Sequence, residues 1–515
     1  MSDCIPVVDL FAGPGGMGEG FSSLDDAFQI LVSAEMDGAA HKTLLLRAFY
    51  RKLKTEFREG LIDYYNFCNG ISDSPFSDNT KAFWLEAESE AQKLELGNPS
   101  DDKKLDAILE NKLDTSKPWV LIGGPPCQAY SLVGRSRNKG IETYIPEEDR
   151  RHFLYQQYLR IIQKYQPSIF VMENVKGILS SKINGKLVFH QILKDLADPK
   201  AAVGGNGGKY RICSLSHNEN FSCNDDPEEF DAHKFIIKAE DYGIPQARHR
   251  VILVGIKEEI FNGIEQLKRS QPVTVKSAIG ALPSLRSRLS KELDSNDNWQ
   301  RIVKEQLIGL INELTDAKKQ RALSKGFKQL VKAGPVSSCP GALRFPKKSL
   351  SSTGIHELDK WYTDSQLSKW LNHETRGHMR EDLRRYVYAS QFALTSGKSP
   401  KGPKDFFLNS LRPEHKNWES GKFSDRFRVQ LWDRPSTTIT SHISKDGNYF
   451  IHPDPRQARS LTVREAARLQ TFPDNYFFQG NRTQQFHQVG NAVPPLLSRK
   501  IALIIKQCLE RDTLD

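Results

Sequence analysis

Cys127 closes the string Gly124-Pro125-Pro126-Cys127, directly behind an apolar run at 118–122. Two prolines stiffen the backbone that delivers it. A thiol so placed is a candidate nucleophile once something lowers its pKa or removes its proton. Glu173, in Met172-Glu173-Asn174-Val175, offers a carboxyl acid at the end of another apolar run. Gln246-Ala247-Arg248-His249-Arg250 offers two guanidinium groups, Arg248 and Arg250. Spaced by two, they are expected on one face of an extended segment. Nucleophile, acid and cationic donor are the parts of a covalent addition in which developing negative charge must be met. Each part has an ordinary alternative. A cysteine behind a strand is commonly a small buried hydrophobe, Glu-Asn a turn, and Arg-His-Arg a surface patch. Their joint occurrence at the ends of apolar runs favours chemistry.

The elements that must position these residues follow from periodicity. Ile5–Leu10 reads as a short buried strand, broken by Gly13-Pro14-Gly15-Gly16, with a helix from about Gly18. Further strands are expected at 29–34, 118–122, 169–172 and 251–255, and a helix at 151–165 from Leu154, Tyr155, Tyr158, Leu159 and Ile162. Strands alternating with helices predict a doubly wound α/β sheet. Functional groups in such sheets collect past the carboxyl ends of the strands, where Phe11–Gly16, Glu35, Cys127 and Glu173 all fall. The glycine turn alone could hold a dinucleotide or nothing. Its run, Gly13-x-Gly15-Gly16-x-Gly18, departs from the G-x-G-x-x-G pattern. Glu35 suits ribose hydroxyls, or is a solvated strand-end carboxylate. Residues 66–117 read as a polar, partly helical insertion, and 199–209, rich in glycine, as a flexible loop.

At 515 residues the chain exceeds one ordinary core, and about two to three domains are expected. No run of about 18 apolar residues marks a transmembrane helix, and the N-terminus lacks signal-peptide features. Seven scattered cysteines without a Cys-x-x-Cys pair argue against disulfides and against a metal site. An intracellular, cytoplasmic protein is expected. Residues 261–450 hold 33 Lys and Arg against 19 Asp and Glu, a net of +14, which leaves the rest at −4 of the overall +10. A basic block beside a neutral one suggests a polyanion-binding domain next to a catalytic one, or simply a basic solvated surface. The regular alternation fades from about 262 to 435 and returns with apolar helices from Leu461 and over 492–510. The expected plan is therefore a domain at 1–261, a basic domain inserted at 262–435, and a return at 436–515.

Cytosine gives these parts a specific task. Its carbon 5 is a poor nucleophile until a thiolate adds to carbon 6 and makes an enamine. That addition needs an acid near ring nitrogen 3, and a cation near the ring carbonyl helps. A partly buried Glu173 with a raised pKa would serve as the acid.

The chain resembles the C5-cytosine DNA methyltransferase family across nearly its whole length. The strings that carry the resemblance are Val8 to Gly16, Gly124 to Gln128, Glu173-Asn174-Val175, Gln246 to Arg250, Arg459-Ser460-Leu461-Thr462-Val463-Arg464-Glu465, and Gly490-Asn491-Ala492-Val493-Pro494-Pro495. The resemblance implies a class I S-adenosylmethionine-dependent methyltransferase fold, a Rossmann-like mixed sheet with an inserted smaller target-recognition domain. It implies S-adenosylmethionine as co-substrate, with Phe11 stacking on adenine, Gly13 and Gly15 approaching the methionine part, and Glu35 holding the ribose. Ala12, Gly16, Met36, Pro125 and Asn491 complete the expected pocket. Cys127 would be the nucleophile, Glu173 the nitrogen-3 contact and Arg250 the carbonyl contact, with Arg248 beside it. Gln128 and Ser131 would lie in a mobile loop of about 128–149 that closes on DNA, with Arg135, Arg137 and Lys139 for phosphates. The target cytosine would be flipped out of double-stranded DNA, and the inserted domain would read the major groove.

Arg376-Gly377-His378 and Arg384-Arg385 are candidates for that readout, or equally for structural roles. The family's acidic adenine contact at the end of a third strand is left unassigned, because 66–117 blurs that region. The chain looks like the compact prokaryotic type, expected as a monomer protecting DNA from a partner restriction endonuclease. A transfer-RNA substrate is the nearest rival, but the Cys-Phe-Thr tripeptide of that branch is missing and the variable region is longer. A catalytically inactive DNA-binding regulator is disfavoured by the intact Cys127, Glu173 and Arg250. A nicotinamide dehydrogenase would explain the glycine turn alone.

Overall fold

The computed structural model describes residues 4–24, 26–126, 150–183, 185–314, 318–334, 336–348, 351–414, 418 and 425–511. Nine strands form the main sheet: β1 (Ile5–Leu10), β2 (Phe28–Glu35), β3 (Ala91–Lys93), β4 (Val120–Gly123), β5 (Ile169–Val175), β6 (Tyr210–Cys213), β7 (Asn220–Phe221), β8 (Ile236–Lys238) and β9 (His249–Lys257). Their order is β3-β2-β1-β4-β5-β9-β6-β7, with β8 also paired to β9. The first five run parallel, while β9 is antiparallel to both β5 and β6. This is a mixed, Rossmann-like sheet, as expected.

Successive residues of β1 serve both faces of the sheet, as its near-continuous apolar sequence requires. Val8 and Leu10 pack with Tyr158, Leu159 and Ile162 of the helix Arg150–Tyr165. Val7 packs on the other side with Phe21, Leu497, Ile501 and Ile505. The last three belong to the helix Pro495–Arg511, so the end of the chain covers one face of its first strand.

Three expectations change. The span 66–117 is not wholly an insertion, because it holds β3 and the sheet-covering helix Pro99–Lys112, whose Leu105 and Leu109 are fully buried. The span 199–209 opens with a short helix, Pro199–Val203, and its Asn206 carbonyl accepts from Gln163 Nε2 at 2.7 Å. The basic region encloses a core of its own between the helices Asn296–Glu313, Lys318–Ala333 and Arg380–Ser396. That core runs from Leu289 to Ile451 and Ala458, past the expected boundary at 435. Val275, Ala278, Ile279 and Leu282 instead join Ile439, Leu461, Phe472 and Val489. Among the described residues no helix is long and apolar enough to cross a membrane.

Candidate active site

The loop after β1 turns sharply because Phe11, Gly13 and Gly15 all take positive φ, at 57°, 59° and 90°. Such angles cost an L side chain and suit glycine. A β-carbon at Gly13 would meet nothing within 4 Å, so one side of the loop is open to a ligand. Gly16 is the reverse case. A β-carbon there would run into the Val493 carbonyl and lie 3.2 Å from Ala492 Cβ. The segment after Asn491 thus packs directly on the glycine loop, and Asn491 itself is exposed at the end of the helix Arg482–Asn491.

Glu35, the last residue of β2, ties the loop to the next strand. Its Oε2 accepts from the Gly13 N–H at 2.8 Å and its Oε1 from the Asp37 N–H at 2.7 Å. Burial raises the Glu35 carboxyl, against the pull of those two N–H groups. Met36, immediately after, is exposed. Ala12 and Phe11 are half-buried beside the same opening. Under the loop lies Asp9, 1 % exposed, whose carboxyl burial pushes up to about 8.

Past β4, Pro125 is buried and its carbonyl accepts from Asn174 Nδ2 at 3.2 Å. A β-carbon at Gly124 would lie 3.3 Å from Glu173 Oε2. The segment entering Cys127 therefore passes against the Glu173 carboxylate and is clamped by the next residue, Asn174. Cys127, Gln128, Ser131, Arg135, Arg137 and Lys139 lie outside the described residues. Glu173 meets Arg250 Nε at 2.7 Å, with both side chains close to buried. The pairing is built by register, because β9 runs antiparallel to β5 with Arg250 opposite Val175 and Ile252 opposite Glu173.

Arg248 departs from the expected arrangement. It does not share a face with Arg250. It precedes β9, is 2 % exposed, and donates from Nη1 to the carbonyls of Ile439 (2.9 Å) and Gly490 (3.3 Å). Burial and the neighbouring Arg250 push its pKa well down. Gln246 acts alongside it, donating to Gln470 Oε1 at 2.6 Å and accepting the Ile439 N–H at 2.7 Å. Gln246 and Arg248 fasten the returning chain to the sheet, so only Arg250 of the expected pair faces Glu173.

Glu95 and Asn174 were not singled out by sequence reasoning. Glu95 is exposed two residues past β3, whose last residue, Lys93, pairs with Glu35 in register. The signal for it was weak because β3 is only Ala-Gln-Lys.

The candidates for base readout make bonds within the fold, with Arg376 and Arg384 half-buried. Arg376 donates to the carbonyls of Ile443 (2.7 Å) and Lys445 (2.8 Å), and His378 is buried. Arg384 donates to Gln306 Oε1 at 2.5 Å and Arg385 to the Leu411 carbonyl at 3.1 Å.

The sequence profile of the C-5 cytosine-specific DNA methylases matches residues 90–200 and 225–507. The chain belongs to that family. As a C-5 cytosine-specific DNA methylase it is similar along its whole length to the type II methyltransferase M.Bpa9945I of Bacillus paralicheniformis, 34 % identical over 98 % of this chain and 99 % of the relative. The type II methyltransferase M.AgeI of Thalassovita gelatinovora is 25 % identical over 97 % and 98 % of the two chains. The DNA (cytosine-5-)-methyltransferase M.ApeKI of Aeropyrum pernix is 27 % identical over 76 % and 81 %. The family's co-substrate is S-adenosylmethionine, and the open side of Gly13 beside the Glu35 carboxylate fits such a group.

Proposed function

We propose that this methylase acts through a covalent Cys127 adduct of a flipped-out cytosine in a specific duplex sequence. The observation that carries the reading is the convergence of Glu173, Arg250 and the Gly124-Pro125 segment on one corner of the sheet. The Cys127 thiolate adds to carbon 6 while Glu173 holds a proton at ring nitrogen 3. Arg250 stabilises the negative charge that Glu173 takes on as its proton passes to nitrogen 3, and serves as the contact to the ring carbonyl. Bound S-adenosylmethionine would supply the methyl group to carbon 5 and leave as S-adenosylhomocysteine; loss of the carbon 5 proton to water and departure of the thiolate from carbon 6 then restore the ring. Glu35 holds the ribose, Phe11 the adenine face, and Gly13, Gly15, Met36 and Asn491 border the remainder. Glu95 provides the acidic adenine contact that the family places after its third strand. Gln128 and Ser131 contact the DNA, and Arg135 and Arg137 hold its phosphates.

Similarity to type II methyltransferases supports a restriction-modification role, in which the enzyme protects DNA from a separately acting endonuclease. It works as a monomer in the cytoplasm, associated with DNA. Bisulfite sequencing of DNA from a methylation-free host expressing the protein tests the reading and yields the recognition sequence. A folded protein that leaves no 5-methylcytosine would refute it. Cys127→Ser is expected to reduce methyl transfer by at least about 10³-fold while cofactor binding survives. Full activity in that variant would remove Cys127 from the mechanism.

A further inference from the structure

The helix Lys318–Ala333 has two faces of opposite character. Leu323 and Phe327 are buried in the core of the basic region, and a β-carbon at Gly326 would run into the Gln391 side chain of a neighbouring helix. The inner face is thus fixed by close packing. The outer face presents Arg321, Lys325, Lys328 and Lys332, all exposed, at the i, i+4, i+7, i+11 spacing of a single helical stripe. With Ile311 and Leu314 they border a shallow groove of about 590 Å³.

Like charges three and four residues apart repel along a helix, so the three lysines of the stripe, Lys325, Lys328 and Lys332, carry a cost that no ion pair among the described residues offsets. Several arginines of the same region have partners: Arg301 pairs with Glu305 at 2.6 Å, Arg380 with Glu292 at 3.2 Å, and Arg385 with Asp382 at 2.9 Å. Among the described residues Lys325, Lys328 and Lys332 make no such pair.

We propose that this stripe docks the sugar–phosphate backbone of duplex DNA, outside the bases that the enzyme reads. The inference rests on the DNA-methylating reading and deepens it. A stripe of 11 residues spans about 17 Å at the helical rise, against roughly one phosphate per 3.4 Å of each strand. It is therefore long enough to face about five phosphates. Lysine ammonium groups are hydrated point charges on flexible stems, suited to phosphates rather than to base edges. The stripe contributes affinity and orientation, not sequence choice.

The test is the salt dependence of binding to a duplex that lacks the methylation site. Each lost phosphate contact makes the slope of log K against log[salt] shallower by about 0.9. The triple variant Lys325→Gln, Lys328→Gln, Lys332→Gln is expected to be shallower by about 2.7. Between 50 and 200 mM salt the unmodified protein then loses roughly 40-fold more affinity than the variant. A control removing the same charge elsewhere, Lys81→Gln, Lys103→Gln, Lys194→Gln, is expected to change the slope by less than about 1. Equal slopes for the two triple variants, or no change in the first, would overturn the proposal. Glutamine is a good helix former, and circular dichroism of each variant verifies its helix content. Methyl transfer by the unmodified protein is measured in parallel. Its absence would count against the methylase mechanism, whereas transfer with an unchanged slope would remove only the stripe.

Discussion

Arg459 and Glu465 meet through two contacts of 2.7 and 2.6 Å, with side chains 0 % and 1 % exposed. Arg250 and Glu173 meet through a single Nε contact of 2.7 Å, with side chains 15 % and 12 % exposed. Both pairs join an arginine to a glutamate inside strings typical of the family. Glu465 also caps its helix, its Oε2 accepting the Thr462 N–H at 2.7 Å, and Arg459 spends its remaining donors on Gln457 and the carbonyls of Leu285 and Ser460. Arg459 holds the Glu465 carboxyl well below the usual carboxylate range, despite burial that acts the other way. Every polar atom of that clamp is engaged. The Glu173 corner keeps a carboxylate edge turned toward the segment that delivers Cys127. A buried pair with all its bonds made serves the fold; a pair with a face left over can serve a substrate.

Substitutions on the two sides should separate cleanly. Glu173→Gln removes the acid and leaves the packing, so kcat/KM should fall by about 10²–10⁴ while the thermal midpoint hardly moves. A large drop in the midpoint with transfer preserved would make Glu173 another clamp. Glu465→Gln should do the opposite. Leaving Arg459 buried with half a partner is expected to cost about 3–5 kcal/mol in denaturant unfolding, with transfer per folded molecule retained. Loss of transfer at full stability would bring Glu465 into the chemistry.

Asp9 sharpens the contrast, since it is buried and makes no ion pair among the described residues, burial outweighing the pull of the more distant Arg51. With its folded pKa raised to about 8, the unfolded chain ionises first as pH rises from the ordinary 3.8. The folded state is then penalised increasingly up to about pH 8. Asp9→Asn escapes that penalty, so its midpoint relative to the unsubstituted protein should rise between pH 4.5 and pH 7.5 (roughly the window between the two pKa values). A difference independent of pH would show that Asp9 ionises in the fold.

The parallel half of the sheet was legible because its strands are short apolar runs ended by glycine, glutamate or the Gly-Pro-Pro turn. Periodicity also marked the helices Arg150–Tyr165 and Pro495–Arg511 closely. β3 escaped because Ala-Gln-Lys carries no strand signature and owes its place to pairing with Ser33–Glu35. Arg248 was misread for a related reason. A spacing of two implies a shared face only inside a strand, and β9 starts at His249. What occupies Arg248 are the carbonyls of Ile439 and Gly490, about 190 and 240 residues away along the chain. The inner edge of the basic region was equally hidden, since Val275–Leu282 choose their core partners from residues far later in the chain. Local pattern reports which segments want burial, and long-range packing decides against what.

The seating of Gly16 on Val493 has a consequence in time. The first helix, Gly16–Ser22, leaves no room for a β-carbon at Gly20 because the chain around Ser498 and Arg499 lies against it, and Ser498 Oγ donates to the Met17 carbonyl at 2.7 Å. The surface that shapes the loop is synthesised nearly five hundred residues after the loop itself. At about 5–20 residues per second that interval is roughly half a minute to a minute and a half. A nascent or prematurely ended chain thus carries the glycine loop without its wall. Synthesis of that wall is the step before which the loop lacks the shape described above.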